Sequence, residues 1–146
     1  MSDGKLVGIV LVSHSAQVAA SVADLAKALS GGGVAVPVAP AGGTASGEFG
    51  TSSELVSAAA ASVDRGAGVA VLTDLGSAVL TVKALLAEGD ELPENTRLVD
   101  APFVEGAVAA VVLCVRWLRP SAPPAPVLCS RILHHCPSLF FVTDRH

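Results

Sequence analysis

The sequence is poor in aromatic and basic residues. It contains no tyrosine, one tryptophan and four phenylalanines, and its three lysines, Lys5, Lys27 and Lys83, stand far apart. Proteins that bind nucleic acid usually present a basic patch, often with aromatic side chains on which bases stack. The composition therefore argues against nucleic acid as a partner.

Long apolar runs and a regular set of cysteines are also missing. No unbroken apolar stretch approaches the roughly 18 residues of a membrane span, and the first five residues include an acid and lead straight into a strand, unlike a signal peptide. The three cysteines, Cys114, Cys129 and Cys136, are odd in number and gathered late in the chain, which argues against a secreted disulfide framework. We expect a cytoplasmic protein with no membrane partner.

Apolar residues make up 51% of the 146 residues and charged residues 15%, enough for one domain with a sizeable core. The first apolar run, Leu6 to Val12, is short and rich in Val and Ile, which predicts a strand buried on both faces. Apolar residues then recur at helical spacing from Ala16 to Leu29, and Ser13 or Ser15 is placed to cap this helix. His14 should therefore lie in a turn between a strand and a helix.

The same succession of strand, polar turn and helix recurs along the chain. Further strands are predicted at Val34 to Pro40, at Gly68 to Thr73 and from Arg97 to near Asp100, and further helices at Glu54 to Asp64, Ala78 to Ala87 and Val104 to Val115. Four such units predict a single three-layer α/β domain, with a four-stranded parallel sheet flanked by helices. Pro37 suits only an edge strand, which with right-handed crossovers favours the strand order 2-1-3-4.

The composition changes after Val115. Residues 1–115 hold 12 acidic and 5 basic residues, whereas residues 116–146 hold one acidic residue and four arginines. We predict a domain over residues 1–115 and a poorly ordered tail over 116–146, in which Leu139 to Thr143 could form a short strand. Four metal-binding side chains of this tail, Cys129, His134, His135 and Cys136, lack the paired C-x2-C spacing of a zinc site, so we expect no metal there.

Polar residues follow each predicted strand: Ser13-His14-Ser15, Gly42-Gly43-Thr44, Thr73-Asp74 with Gly76-Ser77, and Asp100. The carboxyl ends of parallel strands meet at one edge of a sheet, beside helix N-termini that favour anions. The sequence therefore predicts an anion site at this edge, with a histidine in it.

His14 is the predicted nucleophile of this site, and Asp74 is its predicted partner. A neutral imidazole nitrogen attacks well near pH 7, and a carboxylate on the other nitrogen fixes the tautomer and stabilises the cation that forms. If the anion is a phosphoryl group, backbone N–H groups and hydroxyls would hold its oxygens. We expect these donors from Ser15, Gly43, Thr44, Gly76 and Ser77. This chemistry requires neither a metal nor a cofactor.

Simpler interpretations of these residues stay open at this point. His14 could be a surface imidazole, the serines could be helix caps, and Asp74 could only begin the next helix. A dinucleotide site would need G-x-G-x-x-G after the first strand, and a receiver domain would need acidic residues where Ser13-His14-Ser15 stands. A regulatory or small-ligand-binding module of the same fold is the alternative function.

Four stretches of the sequence resemble a known family. They are VGIVLVSHSAQVA at residues 7–19, AGGT-x5-GTS at 41–52, LTDLGSA at 72–78 and VDAPFVEGA at 99–107. In this order they are similar to the phosphocarrier subunit of phosphoenolpyruvate-dependent dihydroxyacetone kinase, whose N-terminal domain resembles the mannose-type enzyme IIA of the sugar phosphotransferase system. The resemblance covers about residues 4–113 and ends after Val112, where the relatives continue with an Ala-rich helical segment.

The resemblance implies a phosphotransferase and a homodimer. His14 would accept a phosphoryl group from the phosphocarrier HPr and pass it to ADP bound on the nucleotide-binding subunit of the kinase. Dihydroxyacetone would then be phosphorylated at the expense of phosphoenolpyruvate. The motifs around His14 would equally serve the enzyme IIA of a mannose-type sugar permease, which is the second alternative.

Overall fold

The computed structural model describes residues 6–31, 35–117 and 141–142. Strand β1, Gly8–Ser13, is buried along its whole length. Its Val, Ile and Leu side chains point alternately to the two faces of the sheet, and both faces are covered by helices. Burial of each such side chain contributes roughly 1.5–3 kcal/mol, so this strand anchors the fold.

Three further units of strand and helix follow the first. The remaining elements are α1 Ala16–Leu29, β2 Val38–Gly42, α2 Ser53–Val63, β3 Val69–Thr73, α3 Gly76–Glu88, β4 Thr96–Asp100, α4 Phe103–Trp117 and β5 Phe141–Val142. The predicted α/β class and its four units are confirmed.

Strands β1 to β4 form a parallel sheet in the order β2-β1-β3-β4, as the sequence predicted. Strand β5 extends this sheet on the other side of β4 and runs antiparallel to it, with Asp100 opposite Phe141. It falls within the stretch 139–143 in which a short strand was predicted. The rest of the predicted tail beyond Trp117, including the four candidate zinc ligands, lies outside the described residues.

Two hydrophobic clusters separate the layers. On one face of the sheet, apolar residues of α1 and α4 pack on Ile9 and Leu11 of β1. On the other face, apolar residues of α2 and α3 pack on Val10 and Val12. The alternation of β1 side chains thus connects both layers, and all four βα turns lie at the same edge of the sheet.

Some predicted boundaries were displaced. Strand β2 begins at Val38, later than predicted, since pairing with β1 starts after Pro37, whose carbonyl accepts a hydrogen bond from the Ile9 N–H. Pro40 is tolerated in β2 because this strand has a neighbour on one side. Helix α3 starts at Gly76, two residues before the predicted Ala78.

Within the described ranges, no helix has the length and apolar character needed to cross a membrane.

Candidate functional site

The register of β1 and β3 brings the candidate site together. Val12 lies opposite Thr73, and the Asp74 N–H donates to the Val12 carbonyl at 3.1 Å. The next residues along the two strands, Ser13 and Asp74, are therefore neighbours, and their side chains leave the same face of the sheet because side-chain direction alternates along each strand. His14 follows immediately, at the turn into α1.

Asp74 holds His14 at two points. The imidazole Nδ1 lies 3.0 Å from Asp74 Oδ1, and the backbone N–H of His14 donates to Oδ2 at 3.0 Å. The two side chains are 24% and 18% exposed respectively, so the pair is shielded from bulk water yet open on one side. The predicted juxtaposition of His14 and Asp74 is thus present in the structure.

Two further donors complete the environment of the Asp74 carboxylate. The Ser13 hydroxyl donates to Oδ2 at 2.9 Å, and the Leu75 N–H donates to Oδ1 at 2.7 Å. Burial by itself would raise the pKa of Asp74, but the hydrogen bonds from His14, Ser13 and Leu75 outweigh it and hold the pKa below the ordinary value of 3.8. The carboxylate is therefore ionised near neutral pH.

The ionised carboxylate decides the tautomer of His14. A carboxylate only accepts hydrogen bonds, so the ring nitrogen beside it, Nδ1, carries the proton. The other nitrogen, Nε2, then has a free electron pair, and the Ser77 hydroxyl lies 2.5 Å from it as a donor. Nε2 is therefore the ring nitrogen whose electron pair is directed away from Asp74, towards the Ser77 hydroxyl.

The N-terminus of α3 lies next to Nε2. Its N-cap residue, Leu75, offers no side chain to cap the helix. Within the described part of the chain, the N–H groups of Gly76 and Ser77 make no hydrogen bond, whereas those of Ala78 and Val79 donate to the Leu75 carbonyl. Free N–H groups at the positive end of a helix can bind an anion, and one of these two residues, Ser77, contacts the imidazole through its hydroxyl.

The loop after β2 closes the opposite side of the site. Gly43 donates from its N–H to the Ser13 carbonyl at 3.0 Å, and Gly50 donates to the His14 carbonyl at 2.9 Å. A side chain at Gly42 would place its Cβ 2.5 Å from the Ser15 carbonyl, so only glycine lets the loop approach this closely. The loop thereby fixes the backbone on both sides of the imidazole.

Some of the predicted phosphoryl-binding residues have backbone N–H groups that are already hydrogen-bonded within the protein. The N–H groups of Gly76 and Ser77 are free, and the Ser77 hydroxyl contacts Nε2. The N–H groups of Gly43 and Thr44 instead close the loop, donating to Ser13 and Glu48. Ser15 is the N-cap of α1, where its hydroxyl oxygen accepts from the Val18 N–H, and its own O–H remains available.

The hydrogen bond between Ser13 and Asp74 was not predicted from the sequence. Ser13 was considered as a helix cap, but Ser15 caps α1, and the Ser13 side chain instead joins Asp74 to the Ser15 N–H. Strand alternation extended to Ser13 and Asp74 could have indicated this contact. Asp100, which was placed at the same edge, ends β4 with β3 between it and β1, and the structure gives it no bond to His14.

The fold and the site place the chain among α/β proteins in which an imidazole, held by a carboxylate, stands at the carboxyl edge of a parallel sheet. The family described as the PTS (phosphotransferase system) fructose IIA component, EIIA-man, matches residues 8–114. The chain belongs to this family.

Two relatives from Listeria innocua serovar 6a extend this finding. The phosphoryl donor subunit DhaM of phosphoenolpyruvate-dependent dihydroxyacetone kinase 2 is 33% identical over 108 residues, which is 73% of this chain and 85% of the relative. DhaM of kinase 1 is 35% identical over 103 residues, 70% of this chain and 77% of the relative. These relationships support a phosphoryl-carrier role in a phosphotransferase system.

A solved structure is similar as well. The crystal structure of EF1359, a protein of unknown function, matches with a TM-score of 0.60 and 27% identity, covering 71% of this chain and 78% of that chain. No group of three or more His, Cys, Asp or Glu side chains suited to a metal ion occurs in the described residues.

Proposed function

We propose that His14 accepts a phosphoryl group from HPr and passes it to ADP bound on the nucleotide-binding subunit of a dihydroxyacetone kinase. The observation that supports this proposal best is the orientation of the His14 ring. Nδ1 is hydrogen-bonded to Asp74, and Nε2 faces the Ser77 hydroxyl at the N-terminus of α3. The names of the two Listeria relatives support dihydroxyacetone kinase as the acceptor.

In the first transfer, the electron pair of His14 Nε2 forms a bond to the phosphorus of phosphorylated HPr. The bond between phosphorus and the HPr histidine breaks, and its electron pair returns to that ring. The His14 ring keeps its Nδ1 proton and gains positive charge, which the Asp74 carboxylate stabilises at 3.0 Å. In the second transfer, a β-phosphate oxygen of ADP attacks the phosphorus, and the electron pair of the bond to phosphorus returns to Nε2.

The phosphoryl oxygens would be held by neutral donors. The free N–H groups of Gly76 and Ser77 and the Ser77 hydroxyl lie on the α3 side, where the helix dipole favours negative charge. We propose the Ser15 O–H and the loop residues Gly43 and Thr44 as the opposite wall. Because these N–H and O–H donors are neutral, they orient the phosphoryl group without stabilising it as strongly as arginine or lysine would, which suits a carrier that must release it.

Ser77→Ala should slow phosphoryl transfer by about 3- to 30-fold, since one hydrogen bond to a charged phosphoryl group contributes on the order of 1–2 kcal/mol. The measurement is the single-turnover rate of transfer from phosphorylated HPr. Ser53→Ala is the matched control, because Ser53 is also an exposed serine in the first turn of a helix. Equal rates for Ser77→Ala and Ser53→Ala would contradict the assigned role of Ser77.

Two exposed apolar residues lie close along the backbone to groups that hold His14 and Asp74, and they are candidates for contact with HPr. Phe49 is 86% exposed and precedes Gly50, whose N–H holds the His14 carbonyl, and Leu75 is 59% exposed and donates its N–H to Asp74. Phe49→Ser should raise the KM for phosphorylated HPr by about 3- to 30-fold, because burial of an aromatic ring in a protein contact is lost.

A small phosphoryl donor distinguishes loss of HPr binding from a defect in the phosphoryl-transfer step. With phosphoramidate, which has no protein surface, Phe49→Ser should react as fast as the wild type. Leu29→Ser is the matched control, since Leu29 is 58% exposed at the far end of α1. Equal slowing of Phe49→Ser with both donors would show that Phe49 shapes the site itself and does not contact HPr.

The direct test of the function is intact-mass analysis after incubation with phosphoenolpyruvate, enzyme I and HPr. One added phosphoryl group, labile in acid and stable in base, is expected on His14. The phosphorylated protein is then offered either to the ADP-loaded kinase subunit or to a mannose-type enzyme IIB. Transfer to the kinase alone supports the proposed acceptor, whereas transfer to enzyme IIB alone supports the sugar permease. The family's description as a fructose IIA component is the observation in favour of this second candidate. No phosphorylation at all would leave the regulatory or ligand-binding module.

We also propose that the protein is a homodimer, as the resemblance implies. Sedimentation equilibrium at micromolar concentration tests this proposal, and a mass of one chain throughout would contradict it.

A further inference from the structure

Ser13 is the most deeply buried polar side chain of the site. It ends β1, is 1% exposed, and connects two elements that are far apart in the sequence. Its hydroxyl oxygen lies 2.9 Å from Asp74 Oδ2 and 3.1 Å from the Ser15 nitrogen.

The direction of the Ser13 hydroxyl follows from its two neighbours. The Ser15 backbone N–H can only donate, so it takes an electron pair of the hydroxyl oxygen. The Asp74 carboxylate can only accept, so the hydroxyl proton points at Oδ2. Ser13 therefore has one donor and one acceptor contact in fixed directions, and the Asp74 carboxylate is tied to the start of α1.

The hydrogen bond from Ser13 to Asp74 helps to fix the position of the carboxylate relative to the imidazole. Oδ2 receives the Ser13 hydroxyl and the His14 backbone N–H, which leaves Oδ1 for His14 Nδ1. Without the hydroxyl, the carboxylate keeps only the backbone N–H groups of His14 and Leu75 besides the imidazole, so it can move more easily away from Nδ1. Loss of Ser13 would weaken the preference for a proton on Nδ1.

We propose that Ser13 is a positioning residue that acts through Asp74 to keep the proton on His14 Nδ1 and the nucleophilic electron pair on Nε2. The inference rests on the proposed role of His14 as phosphoryl acceptor. Ser13 itself does not touch the reacting atoms, so its effect must pass through the carboxylate.

The test combines a spectroscopic and a kinetic measurement on the full chain. In Ser13→Ala, the 15N shifts of the His14 ring should move towards a larger fraction of the Nε2-protonated form, and transfer from phosphorylated HPr should slow by about 5- to 50-fold. Ser13→Thr keeps the hydroxyl and should restore both properties. Ser13→Cys has a weaker donor of similar size and should lie between Ala and wild type. It also provides a second variant should Ser13→Ala fail to fold.

Ser57→Ala is the matched control, because the Ser57 hydroxyl is buried and has no hydrogen-bond partner among the residues that the structure describes. A change of stability in Ser13→Ala or Ser13→Cys with an unaltered His14 tautomer and transfer rate would overturn the proposal. A double-mutant cycle gives the second test. If Ser13 acts through Asp74, Ser13→Ala should cause no further slowing in the Asp74→Asn background, whereas additive losses would show an independent role.

The tautomer measurement also separates this proposal from the proposed function. If wild-type His14 takes no phosphoryl group, the proposed function fails, but the 15N shifts still report whether Ser13 sets the tautomer. If His14 is phosphorylated and the shifts ignore Ser13, the positioning role alone is wrong.

Discussion

His14→Ala should abolish phosphoryl transfer, with a residual rate at least about 10⁴-fold below that of the wild type. The substitution removes Nε2, the only ring atom with a free electron pair beside the N-terminus of α3. The N–H groups of Gly76 and Ser77 could still hold an anion, but no acceptor for the phosphoryl group would remain. Intact-mass analysis after incubation with phosphorylated HPr gives the readout.

The fold should survive His14→Ala. The ring is 24% exposed and its hydrogen bonds go to the polar side chains of Asp74 and Ser77. The backbone N–H and carbonyl of residue 14 keep their partners, Asp74 and Gly50. The circular dichroism spectrum should therefore match that of the wild type. His134→Ala, His135→Ala and His146→Ala serve as controls at positions outside the described residues, and we expect full phosphorylation of each. Phosphate that persists in a folded His14→Ala protein would refute the assignment of His14.

The sheet was predictable because its strands carry strong local signals. The continuous apolar residues of β1 and β3 exclude a half-exposed strand. Pro37 predicted an edge position for the second strand, and although Pro37 precedes β2 in the structure, Pro40 within β2 suits the same position. Strand β5 carries a weaker signal, since its two described residues are apolar but its place beside β4 depends on antiparallel pairing across more than 40 residues of sequence. Local patterns say little about such distant pairing.

The candidate site was predictable in part for the same reason. Parallel strands bring their carboxyl ends to one edge, so the topology alone places Asp74 beside His14. The topology does not say which N–H groups remain free. Gly43 and Thr44 look like donors in the sequence, yet the structure uses their N–H groups to close the loop over the sheet edge. That outcome depends on the positive φ of Gly43 and on the loop path, which composition does not specify.

The pH dependence of stability offers a separate measure of Asp74. Its pKa is lowered in the folded protein from the ordinary value of 3.8, so its ionised form stabilises the fold above that value. This contribution is lost as the pH falls through the folded-state pKa. Asp74→Asn has no such group, and its free energy of unfolding should show a smaller decrease in this acidic range.

Asp74→Asn should slow phosphoryl transfer by about 10- to 1000-fold, on the order of 1.4–4 kcal/mol in the activation free energy. The carboxylate accepts at both oxygens, with backbone N–H groups of His14 and Leu75 on opposite sides. An asparagine has one oxygen and one NH₂ group, so in either orientation its NH₂ faces an N–H donor that it cannot accept from. If the NH₂ faces Nδ1, the ring must carry its proton on Nε2, and that tautomer cannot attack phosphorus.

The charge of Asp74 adds to this geometric effect, because the His14 ring gains positive charge as the bond to phosphorus forms and only a carboxylate compensates it at 3.0 Å. The rate is measured by single turnover with phosphorylated HPr, and phosphate should still end on His14. Asp100→Asn is the matched control, since Asp100 is an exposed carboxylate at the end of the parallel strand on the far side of β3. Equal rates for the two variants would reduce Asp74 to a residue that holds the start of α3. An acyl phosphate on Asp74 of the wild-type protein would instead make the carboxylate the phosphoryl acceptor and would refute the assignment of His14 as the nucleophile.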